Sequence, residues 1–177
     1  KQNDLIIGIK SSGLHSNGFS LVRKIIKEKK VRLNKKIDKN KTIGQLLLKP
    51  TEIYVDPILE LFSKKLIKSC AHITGGGITE NLPRSLTNNV KAEIDLSKFN
   101  LSKIFKWIHS HGVAQSEMLR TFNCGYGMIV ILDKSKLNKF ENLMKKHKLS
   151  YDKIGVLLNS KKSKKRIKFI GKLNFND

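Results

Sequence analysis

The chain has 177 residues, room for one sizeable core or two small ones, and carries 36 Lys and Arg against 14 Asp and Glu, a formal charge of +22. No apolar run reaches the ~18 residues that a membrane span needs, and no signal-peptide pattern opens the sequence, so no membrane partner is expected. Two separated cysteines, Cys70 and Cys124, lie outside any CxxC or Cys/His array, which excludes a disulfide scaffold and points to a reducing, cytoplasmic setting.

The chain opens at Lys1 rather than Met and enters strand-like sequence almost at once, which suggests a piece of a longer chain. Residues 5–10 (Leu5-Ile6-Ile7-Gly8-Ile9-Lys10) form a short apolar strand. Over residues 18–30, Phe19, Val22, Ile25 and Ile26 fall at helical spacing, with Asn17 as the N-cap. A Lys/Asn-rich stretch to about residue 41 reads as a mobile loop. Pro50 separates the run Leu46-Leu47-Leu48 from a strand over residues 51–55, and Asp56-Pro57 reads as an N-cap with Pro at the first helical position. The helix it opens turns Ile58, Leu59, Leu61, Phe62 and Leu66 inward.

Further strands are expected at residues 71–74, 90–94, 126–132, 153–158 and 166–170. Helices are expected at residues 79–86, around Phe105, Trp107 and Ile108, and over 135–147, where Leu137, Phe140, Leu143 and Met144 repeat an amphipathic pattern. Strands alternating with helices predict an α+β (α/β-layered) domain rather than a bundle, with no internal repeat and no domain-scale linker.

The charge admits two readings. One is binding to nucleic acid or another polyanion. The other is compositional: the excess is mostly Lys, spread along the chain among Asn and Ile, all with AT-rich codons. The absence of Arg and aromatic clusters on one face favours the second, so nucleic acid is not expected as a partner. The dense run from Lys161 to Arg166 reads as a solvated hairpin tip.

Three stretches use residues that packing does not demand. In Ser11-Ser12-Gly13-Leu14-His15-Ser16-Asn17-Gly18, small residues let backbone amides approach a ligand, and the helix that follows favours an anion. His15 suits a phosphate donor or an acid/base group, although an ordinary capped turn with a solvated His reads the same way. In the run from His72 to Arg84, three consecutive glycines (Gly75, Gly76, Gly77) follow Thr74. Their entropic cost makes sense against a ligand, and a flexible turn is the plain alternative. Asn81 and Arg84 share a helix face, and Arg84 suits a carboxylate or phosphate. In Glu117 to Met128, Gly125 and Gly127 open a strand beside Arg120 and Asn123, with Cys124 as a packing residue. His109 and His111 are spaced too closely to share a helix face as metal ligands, His147 sits in a Lys-rich solvated helix, and no metal site is expected in this chain.

Taken in order, these stretches resemble phosphoribosylformylglycinamidine cyclo-ligase, also called aminoimidazole ribonucleotide synthetase. The resemblance rests on Gly13 through Lys24, Leu47 through Val55, His72 through Gly77, Glu80 through Arg84, Glu117 through Met128 and Lys153-Ile154-Gly155. It spans nearly the whole chain. Glu52 and Asp56 depart from it, since the family commonly carries basic residues at both places.

The resemblance implies a mixed β-sheet flanked by helices, partly ferredoxin-like, with residues 1–177 forming a single C-terminal substrate-binding domain. The N-terminal ATP-binding half would lie outside this chain. It further implies an ATP-driven ring closure on formylglycinamidine ribonucleotide, with ATP and Mg²⁺ held largely by that other half, in a homodimer. The site residues it implies are His15 as catalytic group, and Ser16, Asn17, Gly18, Thr74, Gly75, Gly76, Gly77, Asn81, Arg84, Arg120, Asn123 and Gly125 as substrate or phosphate contacts. Related ATP-dependent enzymes (formylglycinamidine ribonucleotide synthetase, selenophosphate synthetase, thiamine monophosphate kinase) and a basic RNA-binding module are the rival readings. Substrate assays on a full-length protein separate the enzymes, and the salt dependence of RNA retention separates the module.

Overall fold

In the computed structural model the described residues are 1–160 and 166–176, so most of the basic tip, residues 161–165, lies outside them. Six strands form one mixed sheet in the order β4-β6-β1-β7-β5-β8. They are β1 (Leu5–Lys10), β4 (Ser69–His72), β5 (Val90–Asp95), β6 (Tyr126–Leu132), β7 (Tyr151–Asn159) and β8 (Ile167–Ile170). Every neighbouring pair is antiparallel except β5 and β8, which run parallel.

Alternation along the central strands divides the interior into two layers. Ile6, Ile129 and Ile131 face the larger core, built with α1 (Phe19–Glu28), α2 (Ile43–Leu47), α4 (Gly77–Arg84), α5 (Lys103–Ser110) and α6 (Gln115–Thr121). Ile7, Ile9, Met128, Val130 and Leu132 face a second core under α3 (Val55–Ser63) and α7 (Leu137–Lys146). Because helices cover both faces, β1 and β6 are continuous apolar runs, and every residue of β6 is buried. The fold is the expected α+β arrangement, a mixed sheet flanked by helices. No helix among the described residues is long and apolar enough to cross a membrane.

Several expectations are corrected. Residues 51–55 pair with no strand among the described residues: 51–54 are irregular, and α3 begins at Val55 with Tyr54 as its N-cap. Pro57 therefore stands third in the helix, still in the first turn where its missing N–H costs nothing. Ile58, Leu61 and Leu66 turn inward as expected, but Leu59 and Phe62 are exposed. Asn17 is not the N-cap of α1; that place belongs to Gly18 in the left-handed region, at φ 74.

The Lys/Asn-rich stretch contains a hairpin of β2 (Lys36–Asp38) and β3 (Lys41–Thr42), then α2, opened by a Thr42–Gln45 capping box. β4 and α4 each begin two residues earlier than expected. His147, half-buried, caps the C-terminus of α7, with Nε2 2.7 Å from the Glu60 carboxylate on α3. Lys64, Lys146 and His147 all bond Glu60 and lower its carboxyl to about 2.

Candidate functional site

The first polar turn leaves β1 and is folded back on itself. His15 and Ser16 both adopt left-handed backbone, at φ 54 and 60, and Gly18 follows at φ 74. Left-handed conformations cost non-glycine residues about 1–2 kcal/mol each, so something must hold them. The His15 ring does so. Its Nε2 accepts the backbone N–H of Ser12 at 3.0 Å and that of Glu52 at 3.3 Å, with Ser12 Oγ 2.9 Å away. Two amides aimed at Nε2 make it the acceptor, which assigns the ring proton to Nδ1. Nδ1 is buried and has no hydrogen-bond partner among the described residues.

His15 is only 4% exposed. Burial, then the neighbouring His72 and Lys49, lower its pKa from 6.5 to about 4, so the ring is neutral at physiological pH. The Tyr54 ring lies 5.9 Å from His15 and 6.3 Å from His72, and its hydroxyl donates to the Lys10 carbonyl at 2.6 Å. Burial and the Glu52 carboxylate raise the Tyr54 phenol well above its usual pKa. Both rings close over Gly127 on β6. A Cβ there would fall 2.3 Å from the Tyr54 hydroxyl and 2.6 Å from His15 Cε1.

The neutral ring makes a pH prediction. As pH falls below 6.5 the unfolded chain takes up a proton at this histidine before the folded chain does. Stability is therefore lost progressively between pH 6.5 and about 4, by up to about 3 kcal/mol. Glu60 stability is lost in a lower window, from 4.5 down to about 2. Urea unfolding at pH 7, 5.5 and 4.5 should show a slope that His15→Gln flattens; equal slopes in both proteins would rule this assignment out.

The triple-glycine turn leaves β4 and opens α4. Gly76 and Gly77 have φ 91 and 56, and a Cβ on Gly77 would sit 2.1 Å from the Leu119 carbonyl oxygen. Only glycine lets α4 start this close to the end of α6. Asn81 Nδ2 donates to the carbonyls of Gly75 at 3.0 Å and Gly77 at 2.8 Å, tying the turn shut from inside. The first two turns come close: a Cβ added at Gly75 would lie 4.0 Å from Asn17 Oδ1.

Asn123 binds the third stretch to the first. It is fully buried; its Nδ2 donates to the Gly13 carbonyl at 2.9 Å, and its Oδ1 accepts from Ser11 Oγ at 3.1 Å and the Gly125 N–H at 2.9 Å. Phe122 fills the space that a Cβ on Gly18 would need, at 2.2 Å. Cys124 is buried, donates to the Met118 carbonyl, and has its thiol pushed up to about 12, which suits the packing role expected of it.

His15, Ser16, Asn17, Gly18, Thr74, Gly75, Gly76, Gly77, Asn81 and Asn123 thus come together. Gly125, at φ 95, turns the chain into β6 beside them. Arg84 is exposed in a shallow cleft with His72 and Asn81. Arg120 is also exposed, its Nε 3.6 Å from Glu80, which itself crowds Gly76. Sequence reasoning missed Tyr54, and it placed His72 and Gly127 within the second and third stretches without giving either a role in the site. The signal for His72 was its place just before the glycine turn. For Gly127 it was a glycine inside an otherwise large-residue strand.

A mixed sheet covered by helices, with polar turns converging at one end of β4, β6 and β1, places the chain in a class of α+β domains known from other proteins. Thiamine-monophosphate kinase from Stenotrophomonas maltophilia superposes with a TM-score of 0.62 at 14% identity, covering 98% of this chain and 52% of that one. Thermotoga maritima PurL complexed with FGAR superposes at 0.54 and 14% identity, covering 89% of this chain and 24% of that one. Residues 1–168 match the family described as AIR synthase related protein, C-terminal domain, and the chain belongs to that family.

Its relatives include phosphoribosylformylglycinamidine cyclo-ligase of Neisseria meningitidis, 46% identical over 142 residues, 80% of this chain and 41% of that protein. The enzyme of the same name from Ligilactobacillus salivarius is 40% identical over 171 residues, 94% of this chain and 50% of that protein. The chain therefore spans about half the length of the curated relatives it matches.

Proposed function

We propose that this chain is the C-terminal, substrate-binding half of an ATP-dependent phosphoribosylformylglycinamidine cyclo-ligase, a cytoplasmic enzyme of purine biosynthesis that works as a homodimer. The observation that carries the reading is the meeting of the His15 turn with the triple-glycine turn. A Cβ built on Gly75 would lie 4.0 Å from Asn17 Oδ1, which brings the two turns at the starts of α1 and α4 near one another. Two neighbouring helix starts favour phosphate through the first-turn amides that no helical carbonyl accepts, Gly77 N–H apart, which donates to the Thr74 carbonyl. The first turn of α1 carries no acidic residue to compete with one, whereas that of α4 carries Glu80, paired with Arg120.

In this reading Ser16, Asn17 and Gly18, with Thr74 and Gly75 to Gly77, hold phosphate groups. Arg84 and Arg120 supply exposed guanidinium groups for substrate. Asn81 and Asn123 act through the turns they hold, because their amides already bond the protein. His15 offers Nδ1–H as its one uncommitted donor. ATP supplies the driving force: its γ-phosphoryl passes to the formyl oxygen of formylglycinamidine ribonucleotide, and ADP leaves. The amidine nitrogen then attacks that carbon, phosphate departs with the oxygen, and the nitrogen loses a proton. The chain's own part is positioning and charge stabilisation.

Among the described residues no group of His, Cys, Asp or Glu gathers in a way that could hold a metal ion. The residues present do not fit Mg²⁺, and no step is assigned to it here.

Joined to an ATP-binding half, His15→Ala should lower turnover by about 100-fold, the scale of a lost positioned donor. Wild-type turnover would remove His15 from the mechanism. The 177-residue chain alone should release no ADP when given formylglycinamidine ribonucleotide and ATP. Cyclisation by this chain alone would overturn the half-site reading.

A further inference from the structure

Seven large apolar side chains are exposed among the described residues, and five of them fall between Leu48 and Phe62. Ile53 is 76% exposed, Val55 61%, Leu59 62% and Phe62 42%. Val55, Leu59 and Phe62 lie at i, i+4 and i+7, hence on one face of α3. Ile58 and Leu61 continue the same apolar arc around the helix and are buried against the second core. The apolar arc of α3 is therefore wider than the part the core covers, and its outer side is left exposed.

We propose that the outer stripe of α3, with Ile53 just before it, is the surface on which the ATP-binding half of the cyclo-ligase docks. This rests on the reading of the chain as half of such an enzyme. Two observations select that occupant. The matched relatives are about twice as long as the region this chain covers, so a companion body of similar size must lie against some face of it. The segment that presents the stripe also builds the site: the Glu52 amide bonds His15 and the Tyr54 ring turns inward against it, while Ile53 and Val55 turn outward. A body seated on Ile53 and Val55 therefore borders the polar turns and can complete them. A second copy of this chain fits less well, since two surfaces each belonging to a +22 chain repel.

The test is hydroxyl-radical footprinting of two proteins: the chain alone, and a hybrid in which it replaces the matched region of the Ligilactobacillus salivarius cyclo-ligase. Oxidation of Ile53, Leu59 and Phe62 should slow at least fivefold in the hybrid, with Leu33 and Ile170, exposed elsewhere, unchanged. Equal labelling of Leu59 and Phe62 in both proteins would overturn the proposal. So would protection in the isolated chain that rises with its concentration and vanishes in Leu59→Glu, since a second copy would then be the occupant. If the hybrid does not fold, comparing the intact L. salivarius enzyme with its matched half reads the same surface. Assaying the hybrid separates the two ideas: protection without turnover leaves the docking face standing and removes the cyclo-ligase reading, and turnover without protection does the reverse.

Discussion

Gly77→Ala is expected to cost about 4 kcal/mol of folding stability, a large share of the 5–15 kcal/mol a domain of this size possesses. Two effects add. The backbone at Gly77 has φ +56, which costs an alanine about 1–2 kcal/mol. The new Cβ would also stand 2.1 Å from the Leu119 carbonyl oxygen, and a carbonyl inside a helix cannot swing aside as a side-chain end can. Overpacking of that kind adds about 1–3 kcal/mol.

Gly112→Ala separates the two. Its φ is +91 but a Cβ there meets nothing within 4 Å, so it should cost only the conformational part, about 1–2 kcal/mol. Urea unfolding of both variants beside the parent gives the comparison. Equal losses would mean that α4 does not start against the end of α6. The triple-glycine turn would then lose its support, because Asn81 holds that turn from α4 itself.

The sequence announced the sheet more clearly than the site. β1 and β6 were legible because a strand covered on both faces needs no alternation, and β5 because it alternates. Residues 51–55 misled for a physical reason. Ile53 and Val55 flank Tyr54 with strand-like alternation, but a strand needs a paired neighbour. Among the described residues this segment bonds the protein only through single contacts such as Glu52 to His15 and Tyr54 to Lys10. Leu59 and Phe62 misled because apolar helix residues are assigned to the core by default, and nothing local tells which part of a wide apolar arc stays uncovered. Asn17 lost its capping place because Gly18 takes a left-handed turn that the packing of Phe122 reserves for a residue without Cβ.

The three polar stretches stood out by their backbone cost, and their meeting could be anticipated only as a group. How they are tied could not, because Asn123 reaches across more than a hundred residues of chain to Gly13 and Ser11. The pairing of Tyr54 with Gly127 was equally hidden. Neither residue is unusual until the fold sets one above the other.

That pairing carries the second large effect. Gly127→Ala should leave the sheet intact, since Gly127 lies inside β6 and its φ is not among the left-handed ones. The new methyl would push the Tyr54 hydroxyl and the His15 ring outward together, breaking the Tyr54–Lys10 bond and shifting Nδ1. Stability should fall by about 1–3 kcal/mol. Turnover of the enzyme assembled with its ATP-binding half should fall by about 100-fold, the penalty of misplacing a site group by roughly 1 Å.

Tyr54→Phe tests the cause. Removing the hydroxyl abolishes the 2.3 Å contact but leaves His15 Cε1 at 2.6 Å, so the double variant should recover part of the lost activity. Coupling of that sign arises only between groups that share space. If the two losses simply add, Tyr54 does not press on the site through Gly127, and the His15 turn is held by its bonds to Ser12 and Glu52 alone.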